Sequence, residues 1–223
     1  RVPDGPAMDK ALRDADISVR SYKADNLKDC LRITITTEDV VQKVVAVLTK
    51  EVKNMRSAQI ERETAETQIA VSLNIDGSGT FGGSTGIGFF DHMMNLLACH
   101  SGMDITLHVH GDLDVDTHHV LEDLAIVFGD ALTKALDDKK GIHRYGMFYC
   151  PMDEALTRVV IDLSGRPYLV YDVNLKVERI GAFETEMLRE FLYALSVHGR
   201  MNLHVTNLYG VNAITSSNRF LKP

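Results

Sequence analysis

The stretch GDLDVDTHHVLEDLAIVFGDA, residues 111–131, decides the fold, because a strand pattern changes into a helix pattern inside it. Asp112, Asp114 and Asp116 alternate with Leu113 and Val115, the period-two signature of a strand. From His118 the apolar residues Leu121, Leu124, Ala125, Val127 and Phe128 recur at helical spacing. Thr117 or Asp116 is placed to cap the helix that starts there, with acidic residues near its positive end. His118 and Glu122 are one turn apart, and His119 lies three residues before Glu122, so two imidazoles and a carboxylate share the first turns. Neutral imidazole nitrogen with carboxylate oxygen suits a divalent first-row metal. Adjacent histidines on a helix diverge, so this pair fits two ions, or one ion and a spare imidazole, better than one shared ion. Read without a metal, the same turn is a solvated polar helix start. His92, in GFFDHMMNLLACH, is a further ligand candidate or a core histidine.

The 223 residues, 45% of them hydrophobic, suffice for one domain of ordinary size with a real core. A formal net charge of −7 and a pI near 5.7 leave no electrostatic footprint for nucleic acid. No apolar run reaches membrane-spanning length. The opening RVPDGPAMDKALRDAD lacks the apolar core of a signal peptide. Cys30, Cys99 and Cys150 are odd in number and scattered, which reads as reduced thiols in a cytoplasmic protein.

Residues 1–54 differ in character from the rest. A short helix, a strand at Ile17–Val19, the strand LRITIT (Leu31–Thr36) and an amphipathic helix capped at Thr36 or Thr37 are expected. From Met55 onward, Ile69, Val71, Leu73 and Ile75 alternate along a strand, and DGSG turns the chain. A helix over TGIGFFDHMMNLLACHSGMD and a strand over ITLHVHGDLDVD lead into the helix at His118. The second half repeats the rhythm. RYGMFYCPMDEALTRVVIDLSGRPYLVYDVNL supplies two strands joined by SGRP, TEMLREFLYALSVHGRM a helix, and NLHVTNLYG a closing strand. Two β-β-α-β-like halves imply an internal duplication forming an α+β sandwich.

The ordered motifs RETAET (62–67), TGIGFFDHM (85–93), GDLDVDTHHVLED (111–123), GIHRYG (141–146), PMDEAL (151–156) and DLSGRPY (162–168) make residues 55–213 resemble the imidazoleglycerol-phosphate dehydratase family of the histidine pathway. The resemblance implies an α/β sandwich similar to the second domain of ribosomal protein S5. It also implies trimers assembling into a 24-subunit shell, with active sites between subunits and two Mn²⁺ ions in each. It places His92 and His119 in one manganese site, and His118 and Glu122 in the other. Glu190, before Phe191, stands where many members have a further histidine ligand. Glu66 would contact the substrate near its reacting carbons and is a candidate base, while Arg144 and Arg166 would reach the phosphate. The substrate contacts implied are thus Glu66, His92, His118, His119, Glu122, Arg144 and Arg166. The reaction needs removal of a weakly acidic C–H and departure of hydroxide. A metal on each side of the ring would stabilise a diazafulvene-like intermediate, and an acid/base pair would move the protons.

Both ends depart from that family. Residues 1–54 resemble the C-terminal tail of histidinol-phosphate aminotransferase, in which Arg32 would hold a substrate carboxylate. The cofactor lysine and most of that fold are absent, so Arg32 has no site to serve and a pyridoxal-phosphate enzyme is set aside. At the other end GVNA (210–213) is followed by ITSSNRFLKP, where a second HHxxE motif would stand. Written in suitable codons with one C restored in front, that tail reads HHIIESVFKA. Residues 214–223 are therefore expected to be out of frame, with the second half truncated, and Met55 is expected to be a natural start. Without the second motif, metal ligands and a Ser/Lys phosphate contact are missing, and the polypeptide as it stands is expected to be inactive. The competing reading is a non-catalytic, metal-binding or shell-forming subunit of the same fold.

Overall fold

The computed structural model describes residues 2, 5–22, 24, 27, 30–34, 37–112 and 117–210, with the side chains of 49–55 left aside. The expected caps at Thr36 and Asp116, the aspartates at 114 and 116, and the tail 214–223 lie outside them. The chain divides into two compact units, Arg1–Arg56 and Ser57–Pro223.

In the first unit, α1 (Gly5–Asp14) and α2 (Glu38–Met55) accompany a two-stranded antiparallel pair, β1 (Val19–Ser21) and β2 (Leu31–Ile33). Met8, Leu12, Ile17, Val19 and Val44 form its core. Thr37 caps α2, its hydroxyl accepting from Val40 N at 3.4 Å. The first strand begins at Val19 rather than Ile17. Ile17 is buried ahead of it, where its N–H donates to Leu12 O and closes α1 instead of entering a ladder.

The second unit is built from two four-stranded sheets of matching plan. The first joins β3 (Ser57–Glu63), β4 (Thr67–Asn74), β5 (Phe81–Ser84) and β6 (Asp104–Gly111) in the order β3-β4-β6-β5. The second joins β7 (Tyr145–Met152), β8 (Ala155–Asp162), β9 (Tyr168–Asp172) and β12 (Asn202–Tyr209) in the order β7-β8-β12-β9. In both, the first three strands in that order run antiparallel and the last lies parallel to its neighbour. The parallel pairing requires a crossover, which α3 (Gly88–Ser101) and α5 (Met187–His198) provide.

The duplication is therefore richer than β-β-α-β. RYGMFYCPMDEALTRVVIDLSGRPYLVYDVNL holds three strands, not two. The β7–β8 hairpin turns at Asp153, whose φ of 48° lies in the left-handed region, while SGRP carries the chain from β8 out to the edge strand β9. A small hairpin, β10 (Arg179–Ile180) with β11 (Phe183–Glu184), precedes α5.

Alternation along β4 buries Thr67, Ile69, Val71 and Leu73 under α4 (His118–Leu136). Leu121, Leu124, Ala125 and Phe128 of α4 share one core with Leu188, Phe191, Leu192 and Leu195 of α5. The two helices approach so closely at Gly129 that a Cβ there would lie 2.7 Å from Gly199 N. Thr133 Oγ1 donates to His198 O at 2.7 Å, and His198 Nδ1 lies 3.0 Å from Asp130. The second sheet is covered differently. Among the described residues no helix lies on β7 and β8 as α4 lies on β3 and β4, and Phe148, opposite inward-facing Val159, is 48% exposed.

Asp104 pins the turn between β4 and β5. Its carboxylate accepts from the N–H of Ser78 (2.8 Å) and of Thr80 (3.1 Å) and from both hydroxyls. These bonds, the Ser78 N–H foremost, hold its carboxyl well below the usual range. A depressed carboxyl contributes stability above its unfolded pKa of about 4 and loses it as pH falls through the lower folded value. Urea unfolding of D104N should accordingly show a midpoint that falls less than that of the parent as pH drops below about 4.

Candidate active site

Thr117 stands at the N-cap of α4 but gives no capping bond; its backbone is helical, and its buried hydroxyl has no hydrogen-bond partner among the described atoms. The helix start is held instead by Asp123, one turn in. Asp123 accepts from Arg62 Nε at 3.0 Å and from Thr67 Oγ1 at 2.5 Å. Thr67 also meets Thr64 Oγ1 at 2.9 Å, and Thr64 Oγ1 accepts from the N–H of Glu66 and of Thr67. RETAET is thus a turn folded on its own threonines and tied to α4, which projects Glu66 toward the helix.

The result is a pair of pairs. Glu66 Oε2 lies 2.9 Å from His119 Nδ1, and Glu122 Oε2 lies 3.5 Å from His118 Nε2. The two rings are perpendicular, with centroids 5.8 Å apart, so they face different partners. All four side chains remain between about two-fifths and three-fifths exposed. A cleft of about 470 Å³, lined by Thr64, Glu66, Gln68, His110 and Asp112, opens beside them, within the size range of small-molecule sites.

The remaining sequence candidates stand elsewhere. His92 is exposed on α3, and Glu190 on α5 is paired with Arg189 Nη1 at 2.8 Å. Neither forms, with the α4 residues, a group of three donors; no such group exists among the described residues. Arg144 and Arg166 come together at Asp162. Arg144 binds it with both Nε (2.6 Å) and Nη2 (3.0 Å), and Arg166 Nη2 lies 4.0 Å away. The Arg144 guanidinium holds the Asp162 carboxyl below its usual range and is itself raised by it. Arg144 also lies over the Tyr145 ring at 4.9 Å. The sequence reading passed over Asp123 and Asp162. Each bounds a motif already singled out, since Asp123 closes GDLDVDTHHVLED and Asp162 opens DLSGRPY.

Two duplicated α+β halves with acid and imidazole groups at the start of a shared helix define an enzyme of the hydro-lyase class once the relatives are considered. A family model described as imidazoleglycerol-phosphate dehydratase matches residues 85–222. The imidazoleglycerol-phosphate dehydratase of Paracoccus denitrificans is 55% identical over 159 residues, covering 71% of this chain and 82% of that protein. That of Heliobacterium modesticaldum is 58% identical over 158 residues, covering 71% and 81%. The crystal structure of the Staphylococcus aureus enzyme superposes with a TM-score of 0.67 at 37% identity, over 74% of this chain and 92% of that one. The Pyrococcus furiosus enzyme, solved in complex with (S)-C348, gives 0.63 at 33%, over 73% and 87%. The chain belongs to the imidazoleglycerol-phosphate dehydratase family.

No helix among the described residues is long and apolar enough to cross a membrane. The three cysteines are unpaired.

Proposed function

We propose that this lineage dehydrates imidazole glycerol phosphate to imidazole acetol phosphate in histidine biosynthesis, with Mn²⁺ at the active site and with copies of the chain assembling around it. The observation that carries the reading is the Glu66–His119 contact of 2.9 Å, set beside His118 and Glu122 at the start of α4.

The donor chemistry fits Mn²⁺ in kind, since imidazole and carboxylate both ligate it. It does not fill a coordination sphere within one chain, because no three-donor group occurs among the described residues. His118 with Glu122 would hold one ion and His119 with His92 the other, with Glu190 and a neighbouring copy supplying further ligands. When bound, the metal acts as Lewis acid and template, withdrawing charge from the imidazole ring. The chain's own groups do the rest. Arg144 and Arg166 hold the phosphate by charge-assisted hydrogen bonds. Glu66 takes the proton from the reacting carbon, the C–O bond of the neighbouring hydroxyl breaks, and Glu66 returns that proton to the departing oxygen, which leaves as water. The enol so formed tautomerises to the ketone.

The second HHxxE motif supplies the missing ligands in this reading, so ITSSNRFLKP in its place abolishes turnover. The test compares Mn²⁺-dependent dehydratase activity of the chain as it stands with a version beginning at Met55 and restored in frame after Ala213. Turnover in the restored version alone is expected. Turnover in neither would favour a non-catalytic subunit, and full turnover in the chain as it stands would overturn the ligand assignment.

A further inference from the structure

Lys139 belongs to none of the motifs above, yet its side chain is built into the backbone around the arginine pair. It sits in the turn after α4, where Asp137, Lys139 and Gly141 all have positive φ, of 46°, 59° and 74°. A left-handed backbone at a lysine costs stability that its surroundings must offset. The offset is visible. Lys139 N donates to Leu136 O at 2.9 Å, and Nζ donates to Leu163 O at 3.1 Å and to Arg200 O at 3.4 Å. Burial is the first cause pushing the ammonium's pKa down, with Arg200 adding to it and Asp162 opposing.

The two acceptors lie on separate segments. Leu163 opens the turn that carries Arg166, and its own N–H donates to Arg144 O at 3.0 Å. Arg200 lies in the α5–β12 junction, and its carbonyl also accepts from Gly165 N at 2.9 Å. Asn202 closes the same network by donating to Arg166 O at 2.6 Å and to Ser164 Oγ at 3.3 Å. One ammonium thereby joins the segment leading to Arg144, the turn bearing Arg166 and the end of α5. Arg166 itself reaches into solvent with its side chain 78% exposed and meets Asp162 only at 4.0 Å, so its backbone anchorage largely fixes where the guanidinium can go.

We infer that Lys139 is a positioning residue for the arginine pair: by bridging the carbonyls of Leu163 and Arg200 it sets the spacing at which Arg144 and Arg166 together grip a phosphate monoester. The inference rests on the reading that those two arginines hold the substrate's phosphate. A dianion gripped by two guanidiniums gains from both only if their separation is fixed beforehand. Losing the bridge takes the ammonium donor from Leu163 O, leaves Arg200 O with Gly165 N, and unties the two segments, so the binding loss appears at Arg166 although Lys139 does not touch the anion.

The experiment is a titration of the full chain with inorganic phosphate, followed by amide chemical shifts, on the parent and on K139M, K139R, K139G and R166A. K139M should raise the phosphate Kd about tenfold, the effect of about one lost charge-assisted hydrogen bond. K139R, which keeps the charge and the donors, should recover affinity to within about threefold of the parent. K139G relieves the left-handed backbone while removing the ammonium; it should keep the unfolding midpoint within about 3 °C and still weaken phosphate as K139M does. Weaker binding in R166A with parental affinity in K139M and K139G would overturn the role of Lys139 alone. Parental affinity in R166A, or no binding by the parent, would overturn the arginine-pair reading and this inference with it.

Discussion

In a polypeptide carrying HHIIESVFKA after Ala213, E66Q is expected to lower kcat by about 10²–10⁴-fold, the range a positioned proton-transfer group contributes. Glutamine keeps the size and one acceptor oxygen but cannot take a proton, so the substitution removes chemistry rather than shape. Glu66 is anchored through its backbone, where Thr64 Oγ1 accepts from its N–H at 3.3 Å and Asp123 ties the neighbouring Thr67 to α4. Its carboxylate side chain is 58% exposed, and the His119 side chain it meets is 51% exposed. Removing a polar contact so exposed shifts stability by at most about 1 kcal/mol. Folding and turnover therefore separate: the urea midpoint of E66Q should match the parent while single-turnover rates collapse. E66D, which keeps the proton acceptor but shortens its reach, should fall between the two. A kcat within threefold of the parent would remove Glu66 as the proton acceptor and leave it an orienting partner of His119.

How much of this was legible in the sequence depends on how local each feature is. The alternation in QIAVSLN and the 3.6-residue rhythm from Leu121 to Phe128 identify which faces are buried, and Ile69, Val71, Leu73, Leu121 and Phe128 are all within the core. Such periodicity is written residue by residue. The edge strand β5, FGGS, was not legible, because two of its four residues are glycine and its parallel partner β6 is reached only through α3. The β10–β11 hairpin, two residues per strand, is too short for alternation to register at all. The site divides similarly. His118 and Glu122 meet because a helix brings i and i+4 together. Glu66 and His119 meet only because Thr67 and Arg62 dock on Asp123, a tertiary event that spacing does not encode. Family resemblance supplied Glu66, Arg144 and Arg166 where residue patterns could not. The pairing of Arg144 with Asp162 then follows from the β7–β8 register, which sets Tyr145 opposite Asp162, while Arg166 reaches it from four residues on.

F191A should be the most destabilising of the substitutions considered, because Phe191 stands where the duplicated halves share their core. It is 1% exposed on α5, in the second half, and its ring meets Phe90 of α3, in the first half, edge-on at 4.9 Å and 69°. Phe90 in turn lies 6.0 Å from Phe183, which also contacts Phe89 at 5.4 Å. Truncating such a ring removes its transfer energy and leaves a cavity, at a cost of about 3–5 kcal/mol, with loss of the edge-to-face contact included in that figure. Against a total stability of about 5–15 kcal/mol, this is enough to populate unfolded chain measurably. Y193A, two residues along the same helix but 52% exposed, should change stability by about 0.5 kcal/mol or less. The location matters as much as the size of the effect. If one core serves both halves, hydrogen exchange of β4 amides and of β12 amides in F191A should accelerate together, since neither sheet keeps its packing without the ring between them. Acceleration confined to β12, with β4 protected as in the parent, would show that the first half holds its fold alone and that the shared aromatic cluster is a contact between two independent cores.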